Sequence, residues 1–187
     1  MGFVFAFRHD ITPDLELHLS ALLADHVHLP DFAARTLPEC LLDVVSGFGG
    51  LSVRHFGPAY CFPTVTRPWP EVACVSPTEN KQLHQQLGSM AAHLDLVQPV
   101  IAKVIDGQIA STRQTVRAAG RLVEAGVETR PEWHSRGHGT AVVLGWALKC
   151  LQTGRVPLYS TSWDNAASMA LARHLNLIHY ATELSIS

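Results

Sequence analysis

The sequence has few charged residues and no long apolar run. Of its 187 residues 16% are charged, and the formal net charge is −2. This balance excludes the basic surface of a nucleic-acid-binding protein and the composition of a disordered chain. No apolar segment approaches the roughly 20 residues that span a bilayer. The apolar start, residues 3–7, is too short for a signal sequence, so we expect a soluble globular protein in the cytoplasm.

Cysteine pairs typical of zinc ribbons or disulfide scaffolds are also missing. The four cysteines form no CxxC pair, and we expect them to be buried thiols. Among the eleven histidines, His134 and His138 straddle a turn, but no third ligand accompanies them. We therefore predict no metal site. The cysteines are Cys40, Cys61, Cys74 and Cys150.

A chain of this length is most simply one domain over residues 1–187, and we expect a helical N-terminal extension over residues 1–60. Thr12 followed by Pro13 is typical of a helix start, because threonine caps the first turn and proline fits its first position. A second helix is predicted from about residue 31 to residue 45, with Pro38 as a kink or a new start.

The middle of the chain is more irregular. Residues 51–56 and 59–62 have strand character, and we expect Gly57 and Pro58 to break them apart. The four prolines in residues 63–77 predict an irregular crossing. Leucines and a methionine at helical spacing then predict a helix over residues 79–94 that packs on a sheet.

The second half of the sequence reads β-β-β-α-β-α-β. Asp106 and Gly107 lie between two β-rich runs, which is the strongest short signal for a hairpin. The other predicted elements follow from apolar periodicity and from turn residues. They are the hairpin strands 99–105 and 108–116, a strand over 121–129, a helix over 139–152, a strand over 156–161, a helix over 166–175, and strand material over 177–181 and 184–186.

A glycine turn, residues 136–141, joins the third of these strands to the first helix. Strand, glycine turn and helix N-terminus leave several N–H groups unpaired, with the positive end of the helix dipole behind them. Gly137 and Gly139 allow close approach of a ligand, and each can adopt positive φ at little cost. The pattern indicates an anion cradle, although a glycine turn before a helix is often only a turn.

Residues 98–187 closely resemble the GNAT superfamily of coenzyme-A-dependent N-acyltransferases. Arg136, Gly139 and Ala141 occupy the three fixed positions of that family's cradle motif. Asn165 fits a second feature, an asparagine that opens the next helix after a strand. The resemblance implies an α+β fold, with a mixed, mainly antiparallel sheet flanked by helices and a coenzyme-A-binding core over residues 98–187.

The resemblance also implies which residues hold acetyl-coenzyme A. The strand before the cradle would splay from its neighbour and expose an edge to the pantetheine arm, with Gly126 marking a bulge. Asn165 and Ser168 lie one helical turn apart and would contact the arm or the thiol. The backbone of Val127, Glu128 and Thr129 would pair with the arm, and the turn of Arg136, Gly137, His138, Gly139, Thr140 and Ala141 would hold the pyrophosphate.

Acyl transfer to an amine needs a base and a proton source for the thiolate. Glu124 lies near the position of the family's catalytic carboxylate and is our candidate base; the alternative is an ordinary strand carboxylate in a salt bridge. Many relatives carry a tyrosine seven residues after the asparagine, where this chain has Ala172. Tyr159 and Tyr180 are the substitutes, unless both are simply packed sheet aromatics.

We therefore predict an N-acetyltransferase that moves an acetyl group directly from acetyl-coenzyme A to an amine. The implied partners are these two substrates, with no nucleic acid and no membrane, and a homodimer is left open. The alternative is a non-catalytic coenzyme-A-binding sensor or interaction domain. A nucleotide-binding α/β protein is a third reading, which lacks the repeated parallel βαβ units of such folds.

Overall fold

The computed structural model describes residues 11–25, 35, 39–47, 52–63, 70–78 and 81–186. The chain divides into two compact units. One comprises residues 58–181, and the other comprises the described residues before 58 and after 181. A single domain over residues 1–187 therefore stays a prediction.

Two helices lie in the N-terminal part of the chain. Helix α1 spans Pro13–Asp25 and helix α2 spans Glu39–Gly47. The Leu15 N–H donates to Thr12 Oγ1 at 3.4 Å, which confirms the predicted cap. Helix α2 begins directly after Pro38, whereas the predicted start near residue 31 lies outside the described residues.

The described strands form one mixed sheet in the order β2-β3-β4-β5-β6-β1-β7. The pairs β2–β3, β3–β4, β4–β5 and β1–β6 are antiparallel, and β5–β6 is parallel. With helices packed on it, this sheet confirms the predicted fold class. The strands are β1, Val53–Cys61; β2, Ala73–Val75; β3, Val100–Ile105; β4, Gln108–Ala119; β5, Leu122–Thr129; β6, Val156–Ser160; and β7, Ile178–Ile186.

The helices after β2 are of unequal regularity. Helix α3 spans Lys81–His84 and continues as a 3-10 helix over Gln85–His93. The regular helix predicted over residues 79–94 is therefore wrong, because Gly88 has φ +57° and ψ −132° and interrupts it. Helix α4 spans His138–Gln152 and helix α5 spans Ala166–His174. Both agree with the predicted helices to within one residue.

Two further expectations about the strands are wrong. Strand β1 runs without a break through Gly57 and Pro58. Proline is tolerated there because Pro58 lies just before the first β1–β6 register pair, Ala59 with Ser160, and its carbonyl still accepts the Thr161 N–H at 3.2 Å. In the crossing predicted over residues 63–77, residues 64–69 lie outside the described residues, and residues 73–75 form the short strand β2, which pairs with β3.

The hairpin prediction is confirmed, since Asp106 and Gly107 both have positive φ, 48° and 77°, as a tight two-residue turn requires. Trp146 on α4 is fully buried and packs on β3 and β5 through Ile101 and Val123. Its indole N–H donates to Thr115 Oγ1 on β4 at 3.2 Å. This packing fixes the N-terminus of α4 relative to the end of β5.

Candidate active site

Strands β5 and β6 part after a short stretch of pairing. Their three register pairs are Leu122 with Val156, Val123 with Pro157, and Glu124 with Leu158. Strand β5 then continues to Thr129, paired only with β4. In the described residues, the β5 edge that faces away from β4 therefore has no strand partner from residue 125 to residue 129.

The bulge at this point lies on β4 and not at the predicted Gly126. Gly126 is in register with Gln114, whereas the register shifts between Thr115 and Arg117 and leaves Val116 as the extra residue. A Cβ on Gly126 would lie 3.2 Å from Val116 Cγ1. A larger residue here would require the side chain of Val116, the extra residue of the bulge, to move by a few tenths of an ångström.

Hydrogen bonding alternates along the β4–β5 pair, and the alternation decides which peptide groups face the open edge. The Arg130 N–H donates to Ala110 O at 3.0 Å, so Glu128 also directs its peptide groups toward β4. Val127 and Thr129 direct theirs to the open side. In agreement, Thr129 O accepts a hydrogen bond from His134 Nε2 at 2.8 Å. Of the three predicted arm-binding residues, Val127 and Thr129 have the suitable orientation.

The predicted cradle forms the start of α4. Gly137 is the N-cap, and the first backbone hydrogen bond of the helix runs from the Ala141 N–H to Gly137 O at 3.1 Å. The N–H groups of His138, Gly139 and Thr140 precede that bond and are free of intrahelical acceptors. Together with the dipole of a 15-residue helix, they form a site suited to a phosphate group.

The two glycines of the cradle serve different purposes. Gly137 has φ +81° and open space around its Cα, so its glycine requirement is conformational. Gly139 lies inside α4 without a positive φ, and a Cβ there would lie 3.4 Å from Thr129 Oγ1 and 3.8 Å from Leu171 Cδ1. The expectation of positive φ therefore holds for Gly137 alone, while Gly139 keeps the cradle close to the end of β5.

Aromatic side chains border the cradle. The Arg136 Cζ atom lies 5.1 Å from the Trp133 ring centroid, and the same ring meets His138 edge-on at 5.7 Å. His138 Nε2 is buried and has no hydrogen-bond partner in the described part of the chain. Arg136 itself is exposed, so its charge is available beside the free N–H groups.

Glu124 lies at the last register pair of β5 and β6. Its Oε2 atom lies 2.6 Å from Arg117 Nη2, and its Oε1 accepts a hydrogen bond from Ser160 Oγ. The side chain is 16% exposed, so it is reachable from solvent. The candidate base is thus held by a cation and a hydroxyl, neither of which sequence reasoning singled out.

Tyr159 follows Leu158 on β6 and, because strand side chains alternate, points to the face opposite Glu124. It is 2% exposed, and its hydroxyl donates to Ser168 O at 3.4 Å. Burial raises the pKa of Tyr159 above its ordinary value of 10.0, against the opposing effects of that hydrogen bond and of Arg113. The phenol is therefore protonated at neutral pH.

The remaining predicted residues lie on α5 or after it, and Asn165 and Ser168 lie at its first turn. Asn165 is its N-cap, and Asn165 Oδ1 accepts the Ser168 N–H at 3.0 Å, so one side-chain atom already has a structural partner. Ala172 is buried, and Tyr180 on the last strand is 53% exposed. Asn176 ends the segment after α5 with φ +54°, as expected for an asparagine in place of glycine.

Arg113 is the residue that sequence reasoning missed most clearly. It lies on β4 in register with Val127 and is 0% exposed. Its Cζ lies 4.7 Å from the Trp146 ring centroid and 5.0 Å from that of Tyr159. The sequence signal that could have identified it was the alternation of side chains along β4. This alternation puts Arg113 on the same face as Ser111 and Thr115, two small polar residues that are also buried.

His134 and His138 have separate roles, and the described residues hold no group of three or more histidine, cysteine or acidic side chains arranged around a common point. Cys150 is buried, Cys61 and Cys74 are half-buried, and none of the three forms a disulfide. The side chain of Cys40 lies outside the described residues. None of the described helices has the length and apolar character to cross a membrane.

Solved structures with the same fold belong to the GNAT acetyltransferases. A GNAT-family protein from Novosphingobium aromaticivorans matches with a TM-score of 0.56 and 20% identity, over 74% of this chain and 66% of that one. A GCN5-related N-acetyltransferase-like protein from Streptococcus suis has a TM-score of 0.54 and 15% identity, over 80% and 66% of the two chains.

A GCN5-related N-acetyltransferase from Sphaerobacter thermophilus has a TM-score of 0.55 and 15% identity, over 80% of this chain and 55% of that one. The chain thus matches about half to two thirds of the length of these proteins. No family model and no curated protein matches the sequence. At these identities the likeness establishes the fold: the chain has the GNAT fold, as the resemblance implied.

Proposed function

We propose that this chain, which has the GNAT fold, is an N-acetyltransferase that moves an acetyl group from acetyl-coenzyme A to an amine. The observation that carries the proposal is the open edge of β5 ending at the free N–H groups of α4. Coenzyme A has a pyrophosphate and an amide-bearing arm, and this arrangement offers donors for the first and strand pairing for the second.

The residues present fit that ligand. Gly139 leaves room at the cradle, because a side chain larger than a methyl group would extend past the 3.4 Å contact that its Cβ would make with Thr129 Oγ1. The N–H groups of His138, Gly139 and Thr140 would hold the pyrophosphate, and the backbone of Val127 and Thr129 would pair with the arm. Asn165 and Ser168 would contact the arm from the first turn of α5. Bound here, acetyl-coenzyme A supplies the thioester whose acetyl group is transferred.

The chain's own residues supply the proton transfers. Glu124 removes a proton from the acceptor ammonium, directly or through water, so that the neutral amine can attack the thioester carbonyl. Arg117 and Ser160 hold the carboxylate in place. Tyr159 donates its phenolic proton to the leaving thiolate as the C–S bond breaks. Within the described residues, Glu124 and Tyr159 lie next to the point where β5 and β6 part, on opposite faces of the sheet.

Free-thiol release from acetyl-coenzyme A in the presence of amines, amino acids, aminoglycosides and peptides tests the activity. We expect thiol release that depends on one class of amine. A non-catalytic sensor would instead bind acetyl-coenzyme A without amine-dependent release. That second candidate is motivated by Ala172, which takes the place of the family's usual tyrosine and is buried.

The Gly139→Trp variant tests the binding site itself. An indole at this position would occupy the space between α4 and Thr129, so we expect acetyl-coenzyme A affinity to fall by more than about 100-fold in calorimetry, which corresponds to losing about 2.7 kcal/mol. Gln152→Trp adds the same bulk at the opposite, exposed end of α4 and serves as the control. Unchanged affinity in a folded Gly139→Trp protein would remove the cradle assignment.

A further inference from the structure

Arg113 carries a buried charge that nothing in the described part of the chain neutralises by contact. Its Nε, Nη1 and Nη2 atoms are all buried and all lack a hydrogen-bond partner there. Burial lowers the pKa of Arg113 to about 10, against the attraction of Tyr159, Glu124 and Cys150, so the guanidinium is charged at neutral pH. Buried charges in proteins are normally paired and hydrogen-bonded, so a buried guanidinium with no acceptor among the described residues is a candidate for binding an anionic ligand.

The guanidinium lies at the place where β5 and β6 separate. Its backbone is in register with Val127, on the part of β5 that has lost β6 as a neighbour. Its Cζ nevertheless reaches the ring of Tyr159 on β6, one residue past the last pair between those strands. The guanidinium therefore lies on the α4 side of the sheet, between the rings of Trp146 and Tyr159, next to the point where β5 and β6 part.

This position is at the opposite end of the open edge from the cradle. Thr129 adjoins Gly139 at the cradle end, whereas Glu124 and Leu158 close the gap at the other end. Thr129 lies five positions after Glu124 along the strand, a distance of roughly 16 Å at about 3.3 Å per residue. An arm that starts at the cradle and follows the edge brings its acyl end toward Tyr159 and Arg113, so a phosphate group bound at the cradle would not reach the guanidinium.

A carboxylate is the ligand group that best suits this guanidinium. A guanidinium that lies over aromatic rings can still present N–H donors in its own plane, where a carboxylate can accept two parallel hydrogen bonds. Glu124 does not provide it, because its two oxygens bind Arg117 and Ser160 on the other face of the sheet.

We propose that Arg113 binds the terminal carboxylate of the donor's acyl group, so that the site prefers a dicarboxylic acyl-coenzyme A, such as succinyl-coenzyme A, over acetyl-coenzyme A. This inference rests on the proposed function, because it requires a coenzyme A thioester in the gap.

Calorimetry with donors alone tests the preference, because without an acceptor any carboxylate effect belongs to the donor. We expect succinyl-coenzyme A to bind the wild type at least about tenfold more tightly than acetyl-coenzyme A, as a charge-assisted bidentate pair allows. Arg113→Met should lose that advantage and keep the affinity for acetyl-coenzyme A. Arg155→Met, which removes an exposed arginine that donates to Gln98 O, is the control.

The thermal stability of the unliganded protein distinguishes a binding role of Arg113 from a merely structural one. Replacing an unpaired buried charge by an apolar side chain of similar length should leave Tm unchanged or raise it. Arg113→Lys retains the charge without the planar fork and should lose most of the succinyl advantage, which keeps the test available if Arg113→Met does not fold.

Equal affinity of the two donors for the wild type, a succinyl advantage that persists in Arg113→Met, or a Tm several degrees below the wild type in that variant would each overturn the inference. These results differ from a failure of the proposed function. That failure would appear as no binding of either donor, or as binding that is indifferent to Gly139→Trp.

Discussion

Glu124 and Arg113 lie on neighbouring strands and on opposite faces of the sheet, close to the point where β5 and β6 part. Glu124 is partly exposed and has both a cation and a hydroxyl as partners. Arg113 is fully buried and has two aromatic rings beside it but no acceptor in the described residues. The partly exposed charge of Glu124 thus has partners, whereas the buried charge of Arg113 has none among the described residues. This is the reverse of what stability alone would favour.

The difference separates two uses of a charged side chain. A carboxylate held by Arg117 and Ser160 has a fixed position in the unliganded protein, as a group that must meet an incoming amine requires. A guanidinium without an acceptor is costly until a ligand supplies one. We therefore interpret Glu124 as prepared for proton transfer and Arg113 as prepared for binding.

The largest effect is expected from removing the charge of Glu124. Glu124→Gln keeps the shape and a hydrogen-bond acceptor for Ser160 but cannot accept a proton from the amine. We expect kcat to fall by about 10³-fold, within the range of general-base catalysis, while the Kd for the donor stays unchanged.

Glu71→Gln is the matched control for that prediction, because Glu71 also forms an ion pair, with Lys103 at 3.3 Å, and is almost fully exposed. Wild-type kcat in Glu124→Gln would show that the carboxylate has a structural role alone. In that case Glu124 would have no role in proton transfer to contrast with the binding role of Arg113.

A smaller effect is expected from the hydroxyl of Tyr159. Tyr159→Phe keeps the ring beside Arg113 and removes only the proton donor, so kcat should fall by about tenfold, at or below the lower end of acid catalysis, because a thiolate is a comparatively stable leaving group. Tyr60→Phe, which changes the ring 6.3 Å away, is the control.

The pH profile sharpens that prediction. Burial raises the pKa of Tyr159, so the acid form persists to a higher pH than in a free tyrosine. The wild-type kcat should therefore show no alkaline loss attributable to this residue below about pH 10. A fall centred near neutral pH that disappears in Tyr159→Phe would contradict the assignment.

The smallest effect is expected for the partner of Glu124. The side chain of Arg117 is 57% exposed, and exposed ion pairs contribute little because water screens them. Arg117→Met should reduce the free energy of unfolding by no more than about 1 kcal/mol in urea denaturation. Lys103→Met, at the exposed pair with Glu71, is the reference. A loss of several kcal/mol would mean that the pair stabilises the fold, and Glu124 would then be a structural residue.

The predictions that depended on short-range chemistry were confirmed. Asp106 and Gly107 form the hairpin turn, and Asn165 caps α5 with its own side chain, because a few neighbouring residues decide such conformations. The failures have two kinds of cause. Gly88 interrupts the predicted helix through its own positive φ, a local effect, whereas Pro58 continues a strand because Thr161 lies opposite its carbonyl in the assembled sheet.

The sequence by itself determined the order of strands and helices in the second half of the chain and the position of the glycine turn. These follow from periodicity and from residues with restricted backbone conformations, which act over a few positions. The register of β5 against β6, the bulge at Val116 and the meeting of Arg113 with Tyr159 were decided by the tertiary structure. They depend on side chains and peptide groups of separate strands, and only the assembled sheet brings those strands together.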